Sequence, residues 1–324
     1  MAAQPLQALP RGAAGGGGGG FFGFLKDGVV MVTRNRSLFL PLAALHAARS
    51  TAHLAAKTLA FRSFAAAVDL EAYDDGGGAV DGAQFIGLVF KYLAGRWRLL
   101  LPAGAAYLAA HATLGLAIDA AIAAAAASSS RSGEGQDTTL ASVLGKVKGN
   151  LVGPMATAAF GRIVEWGLVG VGLLLAIPAA VYMDTAIALL ALLFQIVAFL
   201  FALLYSGAVC EVAVVVAAAE PGLRGAGAAG RARRLMRGGR KLAQAALYSL
   251  VSWALKKAIW KVHAAAVARL PDSGLLSTTA LFPVHGVVVY LLLGALKVLR
   301  TATVTAYYLD CRRTEEEDKA GHRD

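Results

Sequence analysis

Cysteine is almost missing from this chain of 324 residues: Cys210 and Cys311 are the only two. They lie far apart, and neither belongs to a CxxC pair or a Cys/His cluster. That excludes a disulfide scaffold and leaves two free thiols. Charge is scarce as well. Asp, Glu, Lys and Arg make up 16% of the residues, against roughly 25% in an ordinary soluble domain. Catalytic signatures are missing too, with no HExxH, no Walker A loop, no nucleophile elbow and no paired-carboxylate motif. Ser206-Gly207 lacks the flanking glycine that an elbow requires. Residue types alone therefore point neither to an enzyme nor to a cofactor.

What the chain has in excess is apolar surface: 57% of its residues are hydrophobic. The extreme stretch is 185–219, TAIALLALLFQIVAFLFALLYSGAVCEVAVVVAAA, with no charged side chain between Asp184 and Glu211. At about 1.5 Å per residue such a helix outruns the ~30 Å hydrocarbon core of a bilayer. A helix that is apolar all round must be buried on every side, and lipid does that. Behind it comes RGAGAAGRARRLMRGGRK, with Arg224, Arg231, Arg233, Arg234, Arg237, Arg240 and Lys241. An apolar span followed by dense Arg is the pattern of a cytoplasmic exit. The fold class is all-α, a polytopic membrane helix bundle of about six transmembrane helices.

The net charge is +11. Because the Lys and Arg lie beside apolar runs, the expected partners are membrane lipids with anionic headgroups, and not nucleic acid. The tract of Arg231, Arg233, Arg234, Arg237, Arg240 and Lys241 is the expected headgroup contact, besides setting topology. Gly225-Ala-Gly227-Ala-Ala-Gly230 within it spells GxGxxG. A dinucleotide site needs a preceding strand and an acid about 20 residues on. Neither is present, so this segment reads as a flexible loop.

In chain order, residues 1–20 end in six glycines and form a disordered tail. With Arg11 alone and no Ser, they do not read as a transit peptide. FFGFLKDGVVMVTRNRS then suits the cytosolic interface, and its Asn35-Arg36-Ser37 sequon reads as a chance match. In 37–60, His46, Arg49, His53 and Lys57 fall on one helical face. That stripe fits either an interfacial helix in the headgroups or a spanning helix with a polar face toward the bundle. Residues 62–98 hold an acidic, solvated loop centred on Asp69 to Asp81, then a short amphipathic helix up to Trp97. Apolar runs follow at 99–127 and about 154–181, the second forming an antiparallel hairpin with the 185–219 helix. After the basic loop 220–241 come 242–268 and 281–309. One membrane domain thus covers 21–310, and 311–324 is a charged, frayed tail.

Lys and Arg outside the spans concentrate in 1–36, 128–153, 220–241 and 310–324. The other loops hold only Arg62, Lys91, Arg96, Arg98 and Arg269. Both termini are therefore expected in the cytosol. The candidate functional group is the set of ionisable residues within the spans: Lys256, Lys257, Lys297, Arg300, Asp119 and Glu211, with Arg49, Lys57, Lys261 and Glu165 nearby. Such groups are costly in lipid and usually pair or line a cavity. Snorkelling with internal pairs, for example Lys256 or Lys257 with Asp119 or Glu211, gives a structural or lipid-associated protein. The other reading is a transporter or binder of a small anion. A water-filled cavity lined by Lys256, Lys297 and Arg300 would favour transport. A closed Ala/Gly-packed bundle would favour the structural reading. Arg162 and Glu165, three apart, are expected to pair locally.

Three blocks together resemble a family of plant multi-pass membrane proteins with no assigned activity: FLKDGVVMVTRNRSLFLPL, the Cys210-Glu211-Val212 to Glu220 segment with RRLMRGGRKLA after it, and TVTAYYLDCRR. The resemblance implies about six helices and a cytosolic basic loop. The chain is also loosely similar to the membrane domain beside some bacterial glycerophosphodiesterases, without any catalytic domain. Its first span is more charged than that family pattern implies.

Overall fold

The computed structural model describes residues 23–74, 82–129, 145, 151–181, 186–220, 222–268 and 274–321. Among them the structure is helical, with no strand. The helices are α1 (Gly23–Arg34), α2 (Arg36–Asp74), α3 (Gly82–Ser129), α4 (Val152–Val181), α5 (Ala186–Ala219), α6 (Ala226–Leu235), α7 (Gly239–Ala268) and α8 (Gly274–Gly321). Runs of Ala and Leu favour helix through most of these segments. Pro41 and Pro102 lie inside α2 and α3 without ending them. Four helices are long and apolar enough to cross a membrane: Leu100–Ser129, Val152–Leu175, Leu189–Ala219 and Gly286–Ala320. α2 and α7 do not qualify. His46, Arg49, His53 and Lys57 dilute the first, and Lys256, Lys257 and Lys261 dilute the second.

Several boundaries differ from expectation. α2 runs through Asp74, so the acidic loop shrinks to residues near 75–81, which lie outside the described residues. The amphipathic helix before Trp97 and the span after it are one helix, α3. The C-terminal segment is no frayed tail, because α8 continues to Gly321. The flexible basic loop is instead a folded helix, α6. Ala228, Ala232 and Leu235 recur on one face of it and are buried, as an amphipathic helix on a core requires. Glycines at positive φ, Gly222, Gly225 and Gly238, turn the chain into and out of it. The Gly-rich tail 1–20 and the 130–144 segment lie outside the described residues.

Neighbouring helices alternate in direction. Gly161 and Gly172 of α4 meet Cys210 and Phe199 of α5, which makes the expected antiparallel hairpin. α2 runs antiparallel to α8, with Ala43 against Gly294 and Leu54 against Gly286. It is antiparallel to α3 too, where Asn35 bonds Ser129 at 2.8 Å and Arg49 reaches His111. α7 packs antiparallel on α8, through Tyr248 near Arg300 and Trp260 on Tyr290.

One end of the bundle is tightly packed. There Phe24 of α1 meets Tyr248 and Tyr307 edge-on. Residues 212–217 of α5 and 302–308 of α8 are almost wholly buried beside α6, while Ile122, Ala125 and Ala126 of α3 are buried against Leu38, Phe39 and Val298. Thr157 accepts the Gly225 amide at 2.9 Å, which ties α4 to the start of α6. Toward the other end burial stops. Residues 162–175 of α4 and 189–207 of α5 include no buried side chain. Ile163, Trp166, Leu190, Leu193, Phe194 and Phe201 are instead openly exposed. Large apolar groups facing outward over that length are what lipid contact requires.

Candidate functional site

Where the packed core gives way to the exposed apolar helices, charged side chains from several helices form a belt. Asp119 of α3 pairs with Lys297 of α8 at 3.2 Å and lies 4.0 Å from Arg162 of α4. Arg162 also binds Glu165 at 3.0 Å, the local pair that three-residue spacing predicts. Glu211 of α5 takes a two-pronged contact from Arg300 of α8, at 2.6 and 2.9 Å. A guanidinium fork on a carboxylate is the strongest form of such a pair. Each partner of this fork is only about a quarter exposed, at 28% and 29%.

The belt ends the charge-free stretches of all four apolar helices at one level. No Asp, Glu, Lys or Arg occurs in 99–118, 166–183, 185–210 or 273–296. At 1.5 Å per residue their described helical parts measure about 24 to 38 Å, bracketing the ~30 Å of bilayer hydrocarbon.

The expected pairing of Lys256 or Lys257 with Asp119 or Glu211 is not what forms. Those acids are held by Lys297 and Arg300, which approach from a helix packed directly on α3 and α5. α7 packs on α5 and α8 instead. Lys257 lies 5.7 Å from the centre of the Trp253 ring, a cation–π contact on its own helix. Lys256 forms no ion pair among the described residues.

A second polar group lies further along the apolar stretches. The α2 stripe turns toward α3, where Arg49 donates to the His111 carbonyl at 3.1 Å and meets its ring at 2.9 Å. His53 stacks on His111 at 4.1 Å and contacts the Tyr107 hydroxyl at 2.5 Å. Gly115 leaves the space that the Arg49 guanidinium fills; a Cβ there would collide with it. This cluster is half legible in the sequence: the stripe is visible in α2, but nothing marks Tyr107, His111 and Gly115 as its partners.

The basic tract behind α5 divides into two kinds of residue. Arg231 turns inward, 2.8 Å from Glu315 of α8 and 3.6 Å from Glu220. Its hydrogen bond to Glu315 raises its pKa above the ordinary guanidinium value. Tyr308, buried, donates to Glu220 at 2.8 Å, and Tyr307 donates to the Lys241 carbonyl at 2.9 Å. Arg233, Arg234, Arg237 and Arg240 remain exposed. Sequence reading misses Glu315 and Tyr308, because the C-terminal segment looks frayed; its Glu-Glu-Glu run is the available signal.

Two openings among the described residues do not match a charged cavity. One is a space of about 10 Å³, roughly one water, beside Glu211, Tyr248 and Ser249. The other is a shallow groove of about 440 Å³ between α2 and α8, lined by Ala44, Ala47, Ala48, Thr51, Ala52, Ala55, Val287 and Leu291. Compared with protein-family models, with curated proteins and with solved structures, the chain matches none.

Proposed function

We propose that this chain is an integral membrane protein with a structural, lipid-associated role, of the plant multi-pass type that its three sequence blocks resemble. The observation that carries this is the pairing of the bundle cations. Lys297 and Arg300, the residues a transport cavity would need free, are each held by a carboxylate. The core beside them is closed by Ala and Gly. Neither of the two openings described above gathers Lys256, Lys297 and Arg300.

In this reading the hydrocarbon begins at the ion belt and extends along the exposed apolar helices. α2 and α7 cross with the four apolar spans, making six, because they pack lengthwise on them. α1 and the C-terminal part of α8 then share the packed end of the bundle with α6. The dense Arg there supports a cytosolic assignment. The outward face of Arg233, Arg234, Arg237 and Arg240 lies against acidic headgroups, each such contact contributing about 1 kcal/mol.

Two measurements test this. Lipids that co-purify in mild detergent are expected to be enriched in acidic phospholipids relative to the source membrane. Proteoliposomes loaded with a small organic anion are expected to leak no faster than protein-free ones. Saturable anion flux would replace the structural reading with a transporter.

A further inference from the structure

The contact between α2 and α3 holds a charge that nothing beside it cancels. Arg49 lays its guanidinium over Gly115 and directs its hydrogen bonds to the carbonyl and ring nitrogen of His111. A carbonyl and an imidazole spread a positive charge without cancelling it. One turn further along each helix, His53 stacks on His111 at 4.1 Å and its Nδ1 meets the Tyr107 hydroxyl. Arg49 makes no ion pair among the described residues. Asp119 stands one turn past Gly115, but it already faces Lys297 and Arg162. The sequence closes the remaining routes: no Asp or Glu occurs in 28–68, 82–118, 166–183, 185–210, 221–271 or 273–309. The chain therefore has no carboxylate to set beside His111 and Tyr107, and a second copy of it has none either.

Depth and surface narrow what could cancel the charge. At 1.5 Å per residue from Asp119, Gly115, His111 and Tyr107 stand about 6, 12 and 18 Å into the charge-free stretch of α3. Lipid phosphates lie outside the hydrocarbon, so a headgroup at the belt does not reach that far. An ionisable group at such depth normally pairs with another group of protein. The surface around the cluster also differs from that of the lipid-facing helices. Residues 101–110 of α3 are all exposed, and six of the ten are Ala or Gly. On α5 the exposed side chains over 189–201 are mainly Leu and Phe. Small residues let a second helix approach closely. Tyr107, 38% exposed, opens the cluster onto this small-residue surface.

We infer that the outer half of α3, together with Arg49 and His53 of α2, is a docking face for a transmembrane helix of a different protein that carries an Asp or Glu at mid-depth. Charge complementarity sets the class of partner, which must bring the acid that this chain lacks at that level. Its carboxylate would accept from the Arg49 guanidinium, and its own small residues would face those of α3. The inference goes beyond the structural reading by adding a protein partner, and it rests on the placement of α2 and α3 across the bilayer in that reading.

The test uses the donor-labelled full chain in phosphatidylcholine vesicles with acceptor-labelled model helices. One is a Leu/Ala transmembrane peptide with a single Asp at its midpoint, about 15 Å from either boundary; the other has Leu there. Read by energy transfer, wild type is expected to bind the Asp helix about fivefold or more tightly than the Leu helix. Arg49→Gln should erase this preference, Arg49→Lys should keep it, and Lys257→Gln on α7 should leave it unchanged. Melting temperature and vesicle incorporation confirm that each variant is folded. Equal binding of the two helices by wild type overturns the docking face and leaves the lipid-associated reading standing. Transfer between two differently labelled copies of the chain that excludes the Asp helix shows self-association at this face and overturns the partner. Oleate that displaces the Asp helix from wild type, and binds Arg49→Gln no longer, shows a fatty-acid site and overturns it too. An Asp preference that persists while acidic lipids fail to co-purify removes the lipid-associated reading and keeps the docking face.

Discussion

Gly294 decides how closely α2 and α8 approach, since a Cβ there would run into the Ala43 carbonyl. In a membrane bundle, where lipid is as apolar as the helix surface, such backbone proximity supplies much of the association energy. Gly294→Leu is therefore expected to cost about 1–3 kcal/mol, read as a lower melting temperature in detergent. Gly207, where an added Cβ would meet nothing within 4 Å, is the control. Gly207→Ala should be neutral or stabilising by up to about 1 kcal/mol, the helix-propensity difference. The Glu211–Arg300 fork belongs to the same scale. Its partners are partly exposed, so Glu211→Ala should cost only about 1–2 kcal/mol. A double-mutant cycle with Arg300→Ala should return a coupling of at least about 0.5 kcal/mol. A zero coupling would mean that the fork contributes nothing. Both residues are legible in the sequence as ionisable groups in spans. Their pairing is not, because they are 89 positions apart.

At the scale of elements, α6 is the clearest gain over the sequence. RGAGAAGRARRLMRGGRK reads as a flexible loop because its glycines and arginines mask a short period of buried Ala228, Ala232 and Leu235. Propensity alone is weak in ten residues, and packing on the core decides. Trypsin offers a check. In the native protein the first cuts should follow Arg237 or Arg240, flanking the Gly238 turn, and not Arg231, which is held by Glu315 and Glu220. Ala232→Asp, which puts a charge on the buried face, should bring cleavage after Arg231 and Arg233 to a comparable rate. The long apolar helices are legible at once, because a charge-free run of bilayer length leaves few alternatives. α2 is ambiguous for the opposite reason, since a polar stripe suits an interface and a helix–helix contact equally well.

For the whole molecule, the question that α2 raises is topology. If α2 crosses, the segment after it lies on the opposite side from α1, which precedes it. A Gly77→Cys variant lacking Cys210 and Cys311 should then react with a membrane-impermeant maleimide added to intact cells. A Lys26→Cys variant in the same background, before α2, should react only after permeabilisation. Equal protection of both would place α2 in the cytosolic interface. The same experiment tests the proposed orientation, since reversal of the two patterns would put the Arg-rich end outside.

The amino-acid order by itself determined the all-helical class, the apolar spans and the crowding of Lys and Arg into a few segments between them. Those properties are local: they follow from the period and length of apolar runs, which neighbouring chain cannot change. Tertiary structure alone decided which carboxylate each cation meets and that the charges from four spans share one level. It also decided that Lys256 meets no carboxylate among the described residues. Such pairings depend on helix crossings set by Gly294, Gly161 and Gly115, where the absence of a side chain, invisible as a signal along the chain, lets distant residues touch.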